Sequence, residues 1–287
     1  MALTPQELVG GVVRLVSLPE VCIRVNEMLD DPSYNATDIG RVISQDASLT
    51  ARLLKIVNSA FYGYQSRIET VSRAVTVIGL RELRGLVLAA SAVESFAKLP
   101  NDVLNMVNFW RHSVYCGVVA QQIAQHCNVL HSERLFVAGL LHDIGKLVIT
   151  NKMPKEAREV AERVKKKKKF DYEIENQIMG FDHAEVGGEL LKEWSMPEAL
   201  FTAVNYHHRP QASMTSEMEV CIVNIANIMT IKAEHGVEAN DMVPPFEDYV
   251  WNVTGLTEAE LEPIYSRAGV LFAEALDAVL PQSYKPL

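Results

Sequence analysis

Apolar residues recur at helical spacing along most of the chain. One helix face, with offsets of i, i+4, i+7 and i+8, carries Leu49, Leu53, Ile56 and Val57. Three longer stretches share this periodicity: Val75–Val93, Trp110–Cys127 and Leu135–Ile149. Gly79 and Gly85 are expected to break or bend the first of them. Because few segments alternate apolar and polar residues between hairpin turns, the sequence predicts an all-α protein built as a multi-helix bundle.

Two proline-containing segments divide the chain. The clearest internal break is Leu99–Asp102, and Pro244–Pro245 precedes a C-terminal helical extension. In that extension, Thr257 and Glu260 have the spacing of a capping box ahead of an apolar stretch. We expect three segments: an N-terminal helical part over residues 1–100, a helical core over 101–232 and a C-terminal extension over 233–287.

Composition and charge exclude several classes of protein. Of the 287 residues, 48% are hydrophobic and 22% are charged, which excludes a disordered or low-complexity chain. The formal net charge of −9 argues against nucleic acid as the main partner. We interpret the lysine run Lys165–Lys169 as a solvated loop, because a short basic run in an acidic protein is weak evidence for nucleic-acid binding.

The sequence also predicts a cytoplasmic protein. The first residues include Glu7 and no basic segment, so they do not resemble a secretory signal. The longest uncharged run, Ser113–Leu130, contains His126, Asn128 and several glutamines, and it is too polar for a membrane span. The four cysteines form no CxxC pair, so we expect buried thiols in a reducing compartment.

The most informative segment is Leu140–Lys146, which reads Leu-Leu-His-Asp-Ile-Gly-Lys. His142 and Asp143 are adjacent within an apolar stretch, where a carboxylate is costly to bury unless a cation or a donor compensates it. A divalent metal compensates it directly, with imidazole nitrogen and carboxylate oxygen as ligands. Lys146 is placed to meet a bound phosphate or Asp143 itself. The alternative is an ion pair between Asp143 and Lys146 beside a core histidine.

Four more histidines fall on or at the ends of predicted helices, from which they can converge inside one bundle. The resulting candidate metal ligands are His112, His142, Asp143, His183, His207 and His208. Lys146 is the candidate phosphate-binding residue. A second interpretation stays open, in which the same side chains form a buried, hydrogen-bonded network without metal. The histidines outside the set are His126, His131 and His235.

This spacing resembles the HD superfamily of metal-dependent phosphohydrolases, and more closely the HDOD family, an HD-related output domain of bacterial signalling. The matching segments in the second half are Phe109–Ser113, Ala138–Lys146, Gly180–Gly187 and Trp194–Pro197. Those in the first half are Leu18–Pro19, Gln45–Thr50, Leu53–Ala60, Ile68–Ala74 and Val77–Leu80. The resemblance runs from about Val16 to Asn227. It implies an HD-like helical core, an N-terminal helical subdomain, a metal site of histidines and aspartates, and a regulatory role.

Two departures separate the chain from the HD enzymes that cleave cyclic dinucleotides. His208 is followed by Arg209-Pro210-Gln211, where those enzymes carry an acidic residue and a Gly-Tyr-Pro motif. In place of the superfamily's last aspartate ligand, this chain offers Asn224 or Asn227. An amide is a neutral, weaker metal ligand. The departures therefore favour regulation over hydrolysis.

We expect a regulatory protein of bacterial signal transduction that acts by binding a signalling protein or a small phosphorylated ligand. It retains a partial site for a divalent metal, with Fe, Mn, Mg and Zn all compatible with the ligand types. The alternative is a metal-dependent phosphohydrolase, a phosphodiesterase acting on a nucleotide or a cyclic dinucleotide.

Overall fold

The computed structural model describes residues 3–12, 19–97, 102–167, 169–235 and 243–280. These residues form sixteen α-helices and no strand, which confirms the predicted all-α fold. Short 3-10 helices occupy Pro210–Ala212 and Glu258–Glu260. None of the described helices combines the length and the apolar character needed to cross a membrane.

The helices are, in chain order, α1 (Pro5–Val12), α2 (Glu20–Asp30), α3 (Ala36–Ile43), α4 (Ala47–Val57), α5 (Val71–Ile78), α6 (Leu80–Ala97), α7 (Met106–His126), α8 (Glu133–Leu141), α9 (Ile144–Lys152), α10 (Pro154–Lys167), α11 (Asp171–Met179), α12 (His183–Glu193), α13 (Glu198–Tyr206), α14 (Glu217–His235), α15 (Asp248–Thr254) and α16 (Leu261–Val279).

Contacts group the chain into two compact units. The first comprises Met1–Leu15 and Pro100–Ala268, and the second comprises Val16–Leu99 and Gly269–Leu287. The predicted division into 1–100, 101–232 and 233–287 stays a prediction. Part of its evidence, the break at Leu99–Asn101, lies outside the described residues, as does Leu18 of the resemblance.

The second unit contains α2–α6 and the end of α16. Within it α6 packs against α2, α4 and α5, and α3 packs against α2 and α5. The face predicted on α4 is buried along its whole length. Asp46 begins α4 by accepting a 3.0 Å hydrogen bond from the Leu49 amide. Gly79, with φ +91°, separates α5 from α6, as predicted, whereas α6 continues through Gly85.

The first unit is built around α7, which packs against α8 and α14. In the same unit, α12 packs against α9 and α13, and α13 also contacts α8 and α14. Most of α7 is buried, so it forms the centre of the unit. The predicted capping box is confirmed, because Thr257 and Glu260 bond each other's backbone at the start of their short helix.

The lysine run only partly matches its prediction. Lys165, Lys166 and Lys169 are exposed, as expected of a solvated segment. However, α10 continues through Lys167, so the predicted loop is wrong over those first residues. Lysine is a good helix former, so its propensity favours continuing the helix into the run. Lys168 lies outside the described residues.

The stretch Leu135–Ile149, predicted as one helix, is two helices. α8 ends at Leu141 and α9 begins at Ile144, with His142 and Asp143 at the junction. The apolar pattern continues through the junction, and so it conceals the break. The His-Asp pair therefore lies between two helices, and its two side chains are not part of the surface of one continuous helix.

Candidate metal centre

All six predicted ligands come together inside the first unit. One ligand atom each from Asp143, His183, His207 and His208 lies within 4.8 Å of the others, and the same holds for His112, His142 and Asp143. Asp143 belongs to both groups. Residues from α7 and from the ends of α8, α9, α12 and α13 thus meet at one carboxylate, as the sequence predicts for helices of one bundle.

His142 and His207 each end a helix by the same hydrogen bond, from the ring to a backbone carbonyl three residues earlier. The Nδ1 of His142 donates to the Gly139 carbonyl at 2.7 Å, and that of His207 donates to the Val204 carbonyl at 2.7 Å. Each imidazole thereby satisfies a carbonyl in the last turn of its helix. Because Nδ1 holds the proton, the lone pair lies on Nε2, which points toward Asp143. Both rings are fully buried.

The other two principal rings are held by carboxylates. Glu175 Oε2 accepts from His183 twice, from Nδ1 at 2.6 Å and from the backbone amide at 2.8 Å. Glu234 Oε2 lies 3.1 Å from His112 Nδ1. All four rings therefore have an acceptor behind Nδ1 and present Nε2 to the cluster. Such outer partners fix the tautomer and orientation of metal-binding histidines.

The cluster has more acceptors than donors. Asp143 Oδ1 and His207 Nε2 are buried with no hydrogen-bond partner among the described residues. His183 Nε2 lies 3.0 Å from Asp143 Oδ1 as an ion pair, and its hydrogen-bond contact at 2.9 Å is with His208 Nε2. An acceptor buried without a partner costs about 1–3 kcal/mol. A closed polar network would leave no such atoms, whereas a divalent cation bound by nitrogen and oxygen would satisfy both. The side chains thus fit a metal better than a self-contained network.

Burial and mutual charge set the protonation of these groups. Burial lowers the pKa of His142 to about 4 and, with His142 and His183 nearby, that of His207 to about 3, so both rings are neutral. Burial alone would raise the pKa of Asp143, but His142, Lys146 and His183 hold it well below its usual range. The neutral rings and the ionised carboxylate are the forms in which these groups bind metals.

His183 is the exception among the rings. Burial opposes its charged form, but Glu175 and Asp143 raise the pKa of His183 to about 10. Its Nε2 lies 2.9 Å from His208 Nε2, which can accept the second ring proton. His208 in turn stacks on Tyr172, with ring centroids 4.1 Å apart. Metal binding at His183 would therefore release a proton.

Lys146 lies between two carboxylates. Its Nζ is 2.8 Å from Asp143 Oδ2 and 2.6 Å from Asp171 Oδ2. Burial disfavours the ammonium, yet Asp143 and Asp171 raise the pKa of Lys146. The ion pair with Asp143, which the sequence offered as an alternative, is present beside the histidines. Phosphate binding by Lys146 stays a prediction.

A cavity of about 670 Å³ opens beside the cluster. Its wall includes His112, Asp143, Lys146, His208 and Asn227, with Phe170 and Tyr172 next to them.

The two candidate amides, Asn224 and Asn227, have different surroundings. Asn224 donates to the His207 carbonyl at 2.8 Å and positions that backbone. Asn227 Oδ1 is buried with no partner among the described residues and borders the cavity, so it is the amide at the site.

Sequence reasoning missed the acidic residues around the ligands, namely Asp171, Glu175 and Glu234. Asp171 and Glu175 lie four residues apart on α11 and therefore share one helix face. That spacing, just before the Asp182-His183 pair, was the available signal.

Arg209, which replaces the acidic residue of the hydrolases, binds Asp182 and Glu185 at 3.2 and 2.5 Å. It therefore supports the start of α12 rather than the cluster.

Comparison with known proteins agrees with this geometry. The profile of the HDOD domain matches residues 15–210. A crystal structure of an HDOD domain protein of unknown function from Geobacter sulfurreducens is 25% identical, with 99% of each chain covered and a TM-score of 0.71. A candidate phosphohydrolase from Shewanella amazonensis SB2B shares the fold at 20% identity, with 94% of this chain and 96% of that chain covered and a TM-score of 0.72.

A curated relative is longer than this chain. An uncharacterized protein of Treponema pallidum (strain Nichols) is 27% identical over 229 residues, which cover 79% of this chain and 44% of that protein. The chain therefore spans less than half the length of this relative. The profile match covers well over half of the 287 residues and includes all six candidate ligands and Lys146. The chain belongs to the HDOD domain family.

Proposed function

We propose that this HDOD protein is a regulatory component of bacterial signal transduction that holds a divalent metal in its histidine–aspartate cluster. It acts by binding a signalling protein or a small ligand at the adjoining cavity. The observation that carries the proposal is the convergence of two buried acceptors, Asp143 Oδ1 and His207 Nε2, inside a set of imidazoles whose tautomers are already fixed. Neither acceptor has a hydrogen bond from the described residues. Four free cysteines support a reducing, cytoplasmic location.

The metal type follows from the donors. An imidazole-rich set with one carboxylate suits Fe or Zn better than Mg, which prefers oxygen ligands. Two groups that share Asp143 would provide the ligands: Asp143, His183, His207 and His208 in one, and His112, His142 and Asp143 in the other. A bound divalent ion would supply a positive charge able to polarise a phosphoryl oxygen or a water.

Two features of the site favour binding over hydrolysis. Asn227 is neutral where the superfamily's last ligand is a carboxylate, so the protein balances less of a metal's charge. The ammonium of Lys146 is already paired with Asp143 and Asp171. Hydrolysis would need a cation free to neutralise the negative charge of the phosphoryl transition state, and Lys146 is not free to do so.

A metal-dependent phosphohydrolase is the second candidate. It is supported by the cavity, which places His112, Asp143 and Lys146 on one wall with room for a nucleotide-sized ligand. Metal-loaded protein that cleaves bis(p-nitrophenyl) phosphate or cyclic di-GMP, with the activity lost in Asp143→Ala, would establish this candidate in place of the regulatory one.

Metal loading is expected to stabilise the fold. Protein freed of metal by a chelator and then given Zn²⁺ or Fe²⁺ at about 100 times its Kd should gain about 2.7 kcal/mol in the free energy of unfolding. Thermal unfolding measures the gain, and metal analysis of the purified protein measures what is bound. If purified protein contains no metal and none of these ions changes its melting temperature, the proposal fails.

Glu175→Ala is expected to weaken metal binding by about 10- to 100-fold, because His183 loses the acceptor that orients its ring. Glu175→Gln keeps an oxygen acceptor and should recover part of the affinity. Competition with a chromophoric chelator gives the Kd values. Glu173→Ala, a change in the same helix outside the cavity wall, is the control and should bind metal as the wild type does. Equal affinity of Glu175→Ala and the control would contradict this role.

A further inference from the structure

Lys146 is the lysine that pairs with Asp143 of the cluster, and its surroundings decide which ligands can use its ammonium. It projects from α9 and contacts Asp143 on one side and Asp171 on the other, at 2.8 and 2.6 Å. Its side chain is 20% exposed, so a ligand in the cavity can reach it. An ammonium has three donors, and two of them face carboxylates.

The two carboxylates are not equivalent. Asp143 is 5% exposed and belongs to both groups of candidate ligands. Asp171 is 36% exposed, belongs to neither group and borders the cavity. Lys146 is thus held from the interior by a carboxylate that the cluster uses, and from the cavity side by one that the cluster does not use.

Asp171 therefore stands where an anionic ligand of Lys146 would bind. A phosphate entering the cavity would have to share the ammonium with Asp171 and meet a like charge, or displace Asp171 from a short ion pair. Like charges brought together at a binding site weaken binding strongly. Among the other charged side chains, Glu175 and Glu234 hold the rings of His183 and His112, and Arg111 and Lys169 border the cavity. Asp171 is distinguished from all of them by its direct contact with the Lys146 ammonium.

We propose that Asp171 is a specificity-determining residue of this cavity, which serves as the built-in counter-ion of Lys146 and keeps phosphate from binding there. This inference rests on the proposed function, because it concerns which ligands the cavity beside the cluster binds. The ligand of the wild-type chain is therefore expected to bind without a phosphate at Lys146.

Asp171→Asn is the direct test, because it removes the charge and keeps the volume. Inorganic phosphate is titrated by calorimetry into the full chain, both metal-loaded and chelator-treated, at constant ionic strength. We expect Asp171→Asn to bind phosphate about tenfold or more tightly than the wild type in both forms. The double variant Asp171→Asn/Lys146→Gln should lose the gain, because Lys146 provides the new site.

Glu173→Gln is the matched control, since it removes one charge from the same helix outside the cavity wall and away from the described ion pairs of Lys146. A gain as large in Glu173→Gln as in Asp171→Asn would overturn the inference, and so would no gain in Asp171→Asn. Wild-type binding of phosphate that is lost in Lys146→Gln would overturn it as well. Thermal unfolding checks that each variant folds, and Asp171→Ala repeats the test if the asparagine variant does not.

The chelator-treated form separates this inference from the proposed function. If the wild type binds no metal, the proposed function fails, while the phosphate titrations still decide the role of Asp171. If metal binds and Asp171→Asn gains nothing, only the role of Asp171 is lost.

Discussion

Asp143→Asn is expected to abolish metal retention, with a loss in affinity on the order of 100-fold or more. The reason is geometric, because Asp143 is the residue shared by both groups of candidate ligands. It is also electrostatic, since the charged Lys146 and His183 beside it hold its carboxylate ionised against the effect of burial. Asparagine keeps the shape but removes the charge, so no other residue of the two groups can replace it.

Metal analysis of the purified variant and chelator competition measure this loss. Asp102→Asn is the matched control, because Asp102 is exposed and pairs with Arg158 away from the cluster. It should retain metal as the wild type does. Circular dichroism separates loss of metal from loss of fold, and Asp143→Ala provides a second variant. Wild-type metal content in a folded Asp143→Asn variant would show that the cluster is not the metal site.

The convergence of the six candidate ligands could be predicted because these residues carry strong local signals. A His-Asp pair in an apolar stretch and histidines at helix ends are visible in the sequence, and a helical bundle has few ways to bury them apart. The junction between α8 and α9 could not be predicted in the same way. No proline precedes His142 within α8, and Gly139 lies inside the helix rather than after its end; the ring of His142 itself ends the helix by bonding the Gly139 carbonyl.

The carboxylates that bond the candidate ligands could not be predicted, because they lie far from those ligands along the chain. Glu234 holds a ring that lies 122 residues away, and no periodicity links the two. The ion pair between Asp171 and Lys146 could not be predicted either. It depends on how α9 and α11 are placed in the folded unit, and no local sequence pattern determines that placement. The choice between Asn224 and Asn227 likewise required the orientation of α14, since both are buried in the same helix.

Gly145→Ala is expected to disrupt the site through the backbone. A Cβ at Gly145 would lie 2.0 Å from the His183 carbonyl oxygen and 2.8 Å from the Gly187 amide nitrogen. Both are backbone atoms, so no change of rotamer relieves the clash, and α9 must move away from α12. Overpacking of this kind costs about 3 kcal/mol or more. For a unit of this size, that corresponds to a fall in melting temperature of roughly 6–12 °C.

The same displacement should weaken metal binding, because α9 begins beside Asp143 and α12 begins with His183. Gly10→Ala in α1 is the control, since among the described residues nothing lies within 4 Å of the added Cβ. That change should be neutral or stabilise the protein by about 0.4–1 kcal/mol. Thermal unfolding and metal affinity are measured for both variants. If Gly145→Ala behaves as Gly10→Ala does, the close approach of α9 and α12 is not what holds Asp143 and His183 together.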